Sequence, residues 1–207
     1  MAAAARVLFG FIVMAAALAA SPPTPSSAAG QTPAATVQQL HDTLIEVMRN
    51  AETLSVEQRF HNLEPTLNAV YDFRTMTKLV TGTAWTGASE EQRAALVDAF
   101  TRLSVATYAE RFSGFSGEQF ETLGVRDGPR GTTLVDTRIV RPADPAVPIT
   151  YVLQPQDGTW HVIDVLVQGS ISELAVRRSE YAQLLRQGGV ERLTDVLTEK
   201  AADLLAG

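Results

Sequence analysis

Few residues of this sequence have the type and spacing that catalysis or metal binding requires. The histidines are His41, His61 and His161, there are no cysteines, and no His-Glu-x-x-His pattern pairs two metal ligands on a helix. The Gly-x-Ser-x-Gly pattern and glycine-rich phosphate loops are also absent. We therefore predict no metal site, no cofactor and no catalytic residue.

Asp72, Asp164 and His161 are the residues that an enzyme would use here as acid or base. Asp72 precedes a short helical pattern, and we predict that it caps that helix. Asp164 lies in a predicted strand, and we expect it to accept hydrogen bonds that orient the next turn. An enzyme acting on a hydrophobic small molecule through these three residues is one alternative to a non-catalytic function.

The first half of the chain has the periodicity of helices. Apolar residues recur at spacings of three and four over residues 36–53. Capping-box patterns at residues 55–58 and 89–92 open helices that extend to about Val70 and Phe112. Pro65 should kink or divide the first of these two helices. A shorter helix is predicted over residues 73–81, ended by Gly82.

After Gly114 the period changes to that of strands. Four strands are predicted over residues 120–125, 132–141, 147–154 and 160–168, joined by turns rich in Gly, Pro and Asp. By strict alternation, one face of the fourth strand carries His161, Ile163, Val165 and Val167, and the other face carries Trp160, Val162, Asp164 and Leu166. Both faces are largely apolar, so this strand should be central.

Two further helices complete the predicted fold. One begins near Ser172 and is stopped by Gly188 and Gly189, and the other covers residues 190–205. Helices, then a meander of four antiparallel strands, then helices define an α+β domain over residues 31–207. The domain has no internal repeat.

Charge and the N-terminal segment limit the environment of the protein. The net charge of −6 is a poor match to nucleic acid or to an anionic membrane surface. After Arg6 comes a short apolar run and then a linker rich in Pro and Ser. This pattern is typical of a signal peptide rather than of an uncleaved anchor. We expect residues 1–30 to be signal peptide and linker, and the protein to reach the periplasm of a bacterium.

The main positive signal is a surplus of large apolar residues over what one sheet face needs. Each of them alone is explained by ordinary core packing. Together they suggest an apolar pocket between sheet and helices that holds a lipid. They are Phe73, Val80, Trp85, Phe100, Leu103, Tyr108, Phe112, Phe115, Tyr151, Val165, Val167 and Ile171.

Three arginines of the predicted C-terminal helix are candidates for the mouth of that pocket. Arg177, Arg178 and Arg186 either face a partner or headgroup, or form a solvated helix face in which Glu173 pairs with Arg177 four residues on. A protein with a fully packed core that recruits a transporter through this helix, as a non-binding adaptor, is a further alternative.

Several stretches in order resemble the MlaC-type family of periplasmic lipid carriers, also called the toluene-tolerance family. They cover nearly all of residues 36–195. They are residues 70–73 (VYDF), 78–82 (KLVTG), 89–93 (SEEQR), 106–109 (ATYA), 160–165 (WHVIDV) and 178–181 (RSEY), with Trp85, Phe100, Gly169, Gly188 and Gly189 at matching positions.

The resemblance implies a fold, a function and a partner. The fold would be NTF2-like, with a lipid pocket between sheet and helices. The protein would be a monomeric carrier that exchanges phospholipid with a membrane-anchored transporter or its MCE-domain protein. Residues in pocket-lining positions would be Phe73, Leu79, Trp85, Leu103, Tyr108, Val165 and Val167. Arg177 and Arg178 are our candidates, from the residues themselves, for contact with such a partner.

The segment after Gly169 departs from the pattern of phospholipid carriers. Residues 170–174 (SISEL) and 175–178 (AVRR) replace a Val-Ser-Leu type turn and an Asn-Tyr-Arg stretch. With residues 108–115 (YAERFSGF), they look more like the hopanoid-associated HpnM branch. A rigid polycyclic hopanoid requires a differently shaped cavity from two acyl chains, so the resemblance implies either cargo, with the hopanoid slightly favoured.

Overall fold

A computed structural model of the protein describes residues 31–142 and 144–207. The predicted signal peptide and linker lie outside these residues. No helix in the described ranges is both long and apolar enough to cross a membrane. The helices are α1 (Pro33–Arg49), α2 (Val56–Val70), α3 (Phe73–Thr81), α4 (Thr83–Gly87), α5 (Glu90–Arg111) and α6 (Glu173–Ala206). The strands are β1 (Gln119–Asp127), β2 (Thr133–Arg141), β3 (Asp144–Gln156), β4 (Thr159–Val167) and β5 (Ile171–Ser172).

Local sequence signals fix the helix starts, as predicted. The Ser55 hydroxyl accepts the backbone N–H of Gln58 at 3.2 Å, and the Gln58 side chain accepts the N–H of Ser55 at 2.9 Å. Ser89 and Gln92 form the same reciprocal pair at the start of α5. The Asp72 carboxylate caps α3 by accepting the N–H of Thr75 at 2.8 Å. These contacts satisfy donors that the first helical turn leaves free.

One helix prediction needs correction, and one helix end is confirmed. Pro65 does not divide α2, which continues to Val70 with Phe60, Leu63 and Leu67 fully buried. Burial of that apolar face outweighs the roughly 3 kcal/mol that an internal proline costs. As predicted, Gly188 and Gly189 leave helical geometry, so α6 consists of two helical segments on either side of this break.

The sheet has five antiparallel strands in the order β1-β2-β3-β4-β5, and not four as predicted. The fifth strand contributes only two residues, which pair with Leu166 and Val167 at the end of β4. A two-residue strand lacks the alternation that a sequence pattern needs.

A register shift in β4 also changes which residues share a face. Val152 pairs with Asp164, but Leu153 pairs with Val162, so an extra residue is accommodated at Ile163. This bulge places Val162 on the same face as Val165, against the strict alternation that we predicted.

Helices pack against one face of the sheet to form the core. α1, α2, α3 and α6 contact β4, and α5 packs against α2 and α6. The opposite face carries ion pairs, Arg126 with Asp136 and Arg138 with Glu121. The apolar core thus lies between a single sheet layer and the helices.

Candidate functional site

A cavity lies between the inner face of β3 and β4 and the helices α3, α5 and α6. Its empty volume is about 820 Å³, including the space at its open mouth. Most of the lining is apolar or aromatic. The lining residues are Tyr71, Phe73, Met76, Ser104, Thr107, Tyr108, Arg111, Phe112, Phe120, Ile149, Tyr151, Val165, Val167, Glu173, Leu174 and Arg177.

Cross-strand pairs form the sheet wall of the cavity. Ile149 pairs with Val167 and Tyr151 with Val165, and the residues of each pair share the inner face. These positions follow from the predicted alternation of β3 and β4, because the bulge in β4 lies before Asp164.

One side of α5 forms the opposite wall. Ser104, Thr107, Tyr108, Arg111 and Phe112 recur at helical spacing and all line the cavity. The rings of Tyr108 and Phe112 stack, with centroids 5.6 Å apart and planes at 15°. The hydroxyls of Ser104 and Thr107 donate to backbone carbonyls one turn earlier, at 2.8 and 2.7 Å. They therefore present mainly their carbon atoms to a ligand.

Buried hydroxyl groups meet each other at the cavity wall. The Tyr71 and Tyr108 hydroxyls form a hydrogen bond, and the Tyr151 hydroxyl lies 3.1 Å from Nε2 of His41. Burial raises the pKa of Tyr71 and of Tyr151 well above that of an ordinary phenol. Burial also lowers the pKa of His41 to about 4, against a smaller opposing effect of Asp42. All these groups are therefore uncharged at neutral pH.

Charged side chains also line the cavity. They are Glu173 and Arg177 at the start of α6 and Arg111 at the end of α5. The Arg177 guanidinium donates to the Tyr181 hydroxyl at 3.3 Å and lies 5.6 Å from the centre of the Phe100 ring. The predicted ion pair of Glu173 with Arg177 is not among the salt bridges of the described residues. Contact with an aromatic ring and a hydroxyl replaces it.

The structure brings four of the seven predicted pocket residues to the cavity. They are Phe73, Tyr108, Val165 and Val167. The other three lie elsewhere, for different physical reasons. Leu79 is 45% exposed, and Leu103 is buried in the core. Trp85 is buried in α4, with the guanidinium groups of Arg74 and Arg93 over its ring at 5.3 and 5.6 Å.

The predicted partner-binding arginines separate in space. Arg177 lines the cavity, whereas the Arg178 guanidinium lies beside Gly82, 3.5 Å from the point that a Cβ there would occupy. Neighbouring residues on a helix point in different directions, which explains the difference. Arg186 is exposed.

Sequence reasoning missed several lining residues because it selected large apolar side chains. Ser104, Thr107 and Arg111 are polar, and Met76, Phe120 and Leu174 were not predicted to line the pocket. The helical spacing from Ser104 to Phe112 was the signal that could have identified Ser104, Thr107 and Arg111 together.

The residues of the enzyme alternative lie outside the cavity lining. Asp164 accepts hydrogen bonds from the N–H of Val165, the N–H of Leu174 and the Ser172 hydroxyl, at 2.8, 3.2 and 2.6 Å. It thus orients the turn into α6, as predicted. Asp72 and His161 both line a shallow surface groove, and the imidazole of His161 contacts the Thr159 hydroxyl at 2.9 Å. Among the described residues, no group of three His, Cys, Asp or Glu side chains is arranged to hold a metal ion.

Comparisons with known proteins agree with this architecture. The chain is similar in fold to a phospholipid-binding protein from Ralstonia solanacearum, solved in complex with a phospholipid. The TM-score is 0.72 at 20% sequence identity, over 84% of this chain and 98% of that one. Among curated proteins, no sequence matches the chain. The sequence profile of the MlaC protein matches residues 38–199. The chain belongs to the MlaC family.

Proposed function

We propose that this protein is a periplasmic lipid carrier that holds hydrocarbon in the cavity and moves it between membranes. The observation that carries the proposal is a largely apolar cavity, open to solvent, between sheet and helices in a chain of the MlaC family.

The energy of hydrocarbon burial is sufficient for such a role. One acyl chain of about 16 carbons gains roughly 0.8 kcal/mol per buried methylene, which sums to on the order of 10 kcal/mol before entropy costs. Release then requires a state in which the helices over the cavity separate. A membrane-anchored transporter or its MCE-domain protein is the partner that would favour that state, with the carrier acting as a monomer.

Two cargoes are compatible with the proposal. The phospholipid in the Ralstonia protein supports a phospholipid, and the segment after Gly169 supports a hopanoid by its resemblance to the HpnM branch. We also propose that the fold is NTF2-like, on the basis of its antiparallel sheet with helices packed over one face.

The pocket-lining role of Phe73, Tyr108, Val165 and Val167 in binding lipid is part of the proposal. Leu79, Leu103 and Trp85 would act indirectly, since none of them lines the cavity. Arg177 would contact cargo, and Arg178 would contribute to the partner surface.

Lipid extraction and transfer test the proposal together. The protein, expressed from its full sequence, is purified and extracted with organic solvent for mass spectrometry. It is then incubated with labelled donor vesicles and unlabelled acceptor vesicles. We expect recovery of lipid and protein-dependent transfer. Recovery of no lipid, combined with no uptake from vesicles, would contradict the proposal.

The same extraction tests the enzyme alternative. Glu173, Arg177 and the tyrosine hydroxyls make the cavity partly polar, so an acid or base is present there. A carrier returns its lipid chemically unchanged after long incubation. A product that differs in mass from the supplied lipid would instead support catalysis.

The adaptor alternative predicts a protein that takes up no lipid but still binds the transporter.

A further inference from the structure

Strand β1 forms an open edge of the sheet. Within the described part of the chain its hydrogen-bonded neighbour is β2 alone, and residues 122–127 are all exposed. Two of them are large and apolar, Leu123 with 57% and Val125 with 49% of the surface exposed. An edge strand presents a row of unpaired backbone N–H and C=O groups, which another strand can pair with. The exposed apolar side chains make such pairing favourable here.

A β-bulge in β1 decides which of its residues share a face. In the pairing with β2, Leu123 is an additional residue between Thr122 and Gly124. Residues five apart on a regular strand point to opposite faces. The additional residue cancels that difference, so Glu121 and Arg126 both point to the outer face, where each forms an ion pair with a side chain of β2.

These two charged side chains keep free hydrogen-bonding atoms. Glu121 accepts from Arg138 through Oε2 at 2.6 Å, and its Oε1 has no donor among the described residues. Arg126 donates to Asp136 through Nε and Nη2 at 2.7 and 3.2 Å, and its Nη1 has no acceptor among those residues. Each side chain can therefore take a second partner of opposite charge without losing the first.

The sequence of β1 is complementary to a second copy of itself. In an antiparallel pairing that sets Leu123 of one copy opposite Gly124 of the other, Glu121 lies opposite Arg126 of the second copy. Two-fold symmetry makes each of these contacts occur twice. The result on the outer face is a row of alternating charges across the two copies, and such networks are worth more than isolated surface pairs.

The same register fits the uncharged side chains. Thr122 lies opposite Val125 of the second copy, which is a cross-strand pair of two β-branched residues. Opposite residues of an antiparallel pair must share a face, and the bulge satisfies this condition for both the charged and the uncharged pairs. No atom lies within 4 Å of the position that a Cβ on Gly124 would take, so space is open there for Leu123 of the second copy.

We propose that two copies of this chain associate through residues 121–126 of β1, antiparallel and in this register. Two five-stranded sheets then join into one sheet of ten strands, a size that twisted sheets reach. Six residues a side form a small interface, so the association is reversible. The carrier proposed above as a monomer is the dissociated form. Residues 121–126 do not line the cavity, so the inference is independent of the cargo.

Analytical ultracentrifugation of the protein at roughly 5–500 μM tests the association. We expect the average mass to rise with concentration from that of one chain towards that of two. Leu123→Lys places two ammonium groups at the centre of the interface, and Gly124→Lys fills the space that Leu123 of the second copy needs. Each variant should weaken association by about tenfold or more.

Matched variants separate a local interface from a general charge effect. Val176→Lys changes another exposed apolar residue, which lies on α6 and is 43% exposed. Gly87→Lys changes another glycine that has no atom within 4 Å of its Cβ position. Both controls add the same charge as the test variants and should keep the association of the unmodified protein. Equal weakening in controls and test variants would overturn the inference, as would a single-chain mass at every concentration.

Disulfide cross-linking tests the register, because the chain has no cysteine of its own. The single variants Thr122→Cys and Val125→Cys are oxidised separately and as a mixture, and covalent dimers are counted on a non-reducing gel. In the proposed register the two introduced thiols face each other across the copies in the mixture. In either variant alone they lie three residues apart along the strands, roughly 10 Å, which is beyond disulfide reach.

We therefore expect covalent dimers of one Thr122→Cys chain with one Val125→Cys chain, and few dimers of either variant with itself. Dimers formed equally well by one variant alone would mean a different register and would overturn the inference. The absence of covalent dimers in the mixture, at concentrations where ultracentrifugation shows association, would place the interface elsewhere on the molecule and would also overturn it.

Discussion

The hydroxyl groups of Tyr71, Tyr108 and Tyr151 lie at the wall of a cavity that is otherwise mostly apolar. Tyr71 and Tyr108 bond to each other, and Tyr151 bonds to His41. Buried polar groups that are paired in this way do not demand water from the cavity. The wall can therefore accept hydrocarbon without leaving these hydroxyls unsatisfied.

Thr107 offers a direct way to fill the cavity. Its side chain is half-buried on the α5 wall, so Thr107→Phe would place a ring in the space that cargo occupies. Overfilling a packed site costs about 1–3 kcal/mol, so we expect lipid uptake to weaken by about tenfold. Uptake is measured as lipid recovered per mole of protein after incubation with vesicles.

Thr198 provides the matched control for this substitution. It is exposed on α6, and its hydroxyl donates to the carbonyl one turn earlier at 2.9 Å, as that of Thr107 does at 2.7 Å. Thr198→Phe should leave uptake unchanged. Equal uptake by the two variants would show that the α5 wall does not border the cargo.

His41 should make the stability of the fold depend on pH. Its pKa is about 4 in the folded protein and about 6.5 in an unfolded chain, so the unfolded state binds more protons between these values. Stability is fully present above pH 6.5 and is lost as the pH falls towards 4. The total loss is on the order of 3 kcal/mol. Urea denaturation at a series of pH values measures it.

The variant His41→Gln tests whether protonation of His41 causes this pH dependence. Glutamine cannot gain a proton but can still contact the Tyr151 hydroxyl. The variant should be less stable at neutral pH, yet its stability should change little between pH 6.5 and 4.5. If the variant keeps the full pH slope of the parent protein, another group is responsible.

At the site, Phe73 and Val165 line the cavity as the sequence-based hypothesis expected, whereas Leu103 is equally apolar and buried but lies elsewhere in the core. Leu79 is apolar but exposed, and Thr107 lines the cavity although it is polar. The type of a side chain does not determine whether another helix or strand covers it. That depends on how elements distant in sequence pack together.

At the scale of elements, the helix starts were predictable and the details of the sheet were not. Ser55, Asp72 and Ser89 cap their helices through atoms three residues away, so the signal is contained in a few residues. The bulge at Ile163 depends instead on the pairing of β4 with β3. Helix α4 is a single five-residue turn and has no periodicity to detect.

The break in α6 depends on backbone geometry that only glycine adopts readily. Gly189 has φ 66° and ψ −157°, a region that costs other residues about 1–3 kcal/mol. Gly189→Ala should therefore destabilise the protein by about that amount. The change is read as a lower midpoint in urea denaturation.

Gly87 supplies the comparison for this substitution. It ends α4 without positive φ, and no atom lies within 4 Å of the position that a Cβ would take. Gly87→Ala should change stability by less than about 0.5 kcal/mol. Similar effects at both glycines would mean that the break in α6 does not require glycine.

At the scale of the whole molecule, sequence order predicted the class of fold. Helices precede a sequential antiparallel meander, and helical segments follow it, as the change of hydrophobic period indicated. The cavity itself could not be derived, because unfilled space is a property of how complete layers fit together. Its existence was a hypothesis from a surplus of apolar residues, and the structure supplies its position and lining.

At the same scale, the carrier proposal depends on a mostly apolar cavity between sheet and helices, with the charged side chains Arg111, Glu173 and Arg177 in its lining. The molecule as a whole remains acidic, which disfavours permanent attachment to anionic membranes.

Photo-crosslinking tests the central claim, that hydrocarbon occupies the cavity, most directly. A phospholipid with a diazirine in one acyl chain is loaded from vesicles, irradiated, and mapped by peptide mass spectrometry. The account predicts adducts on residues of the cavity wall, in α5 between Ser104 and Phe112 and in β4 at Val165 and Val167. Adducts confined to exposed apolar side chains such as Leu123 and Val176, or no adducts at all, would contradict it.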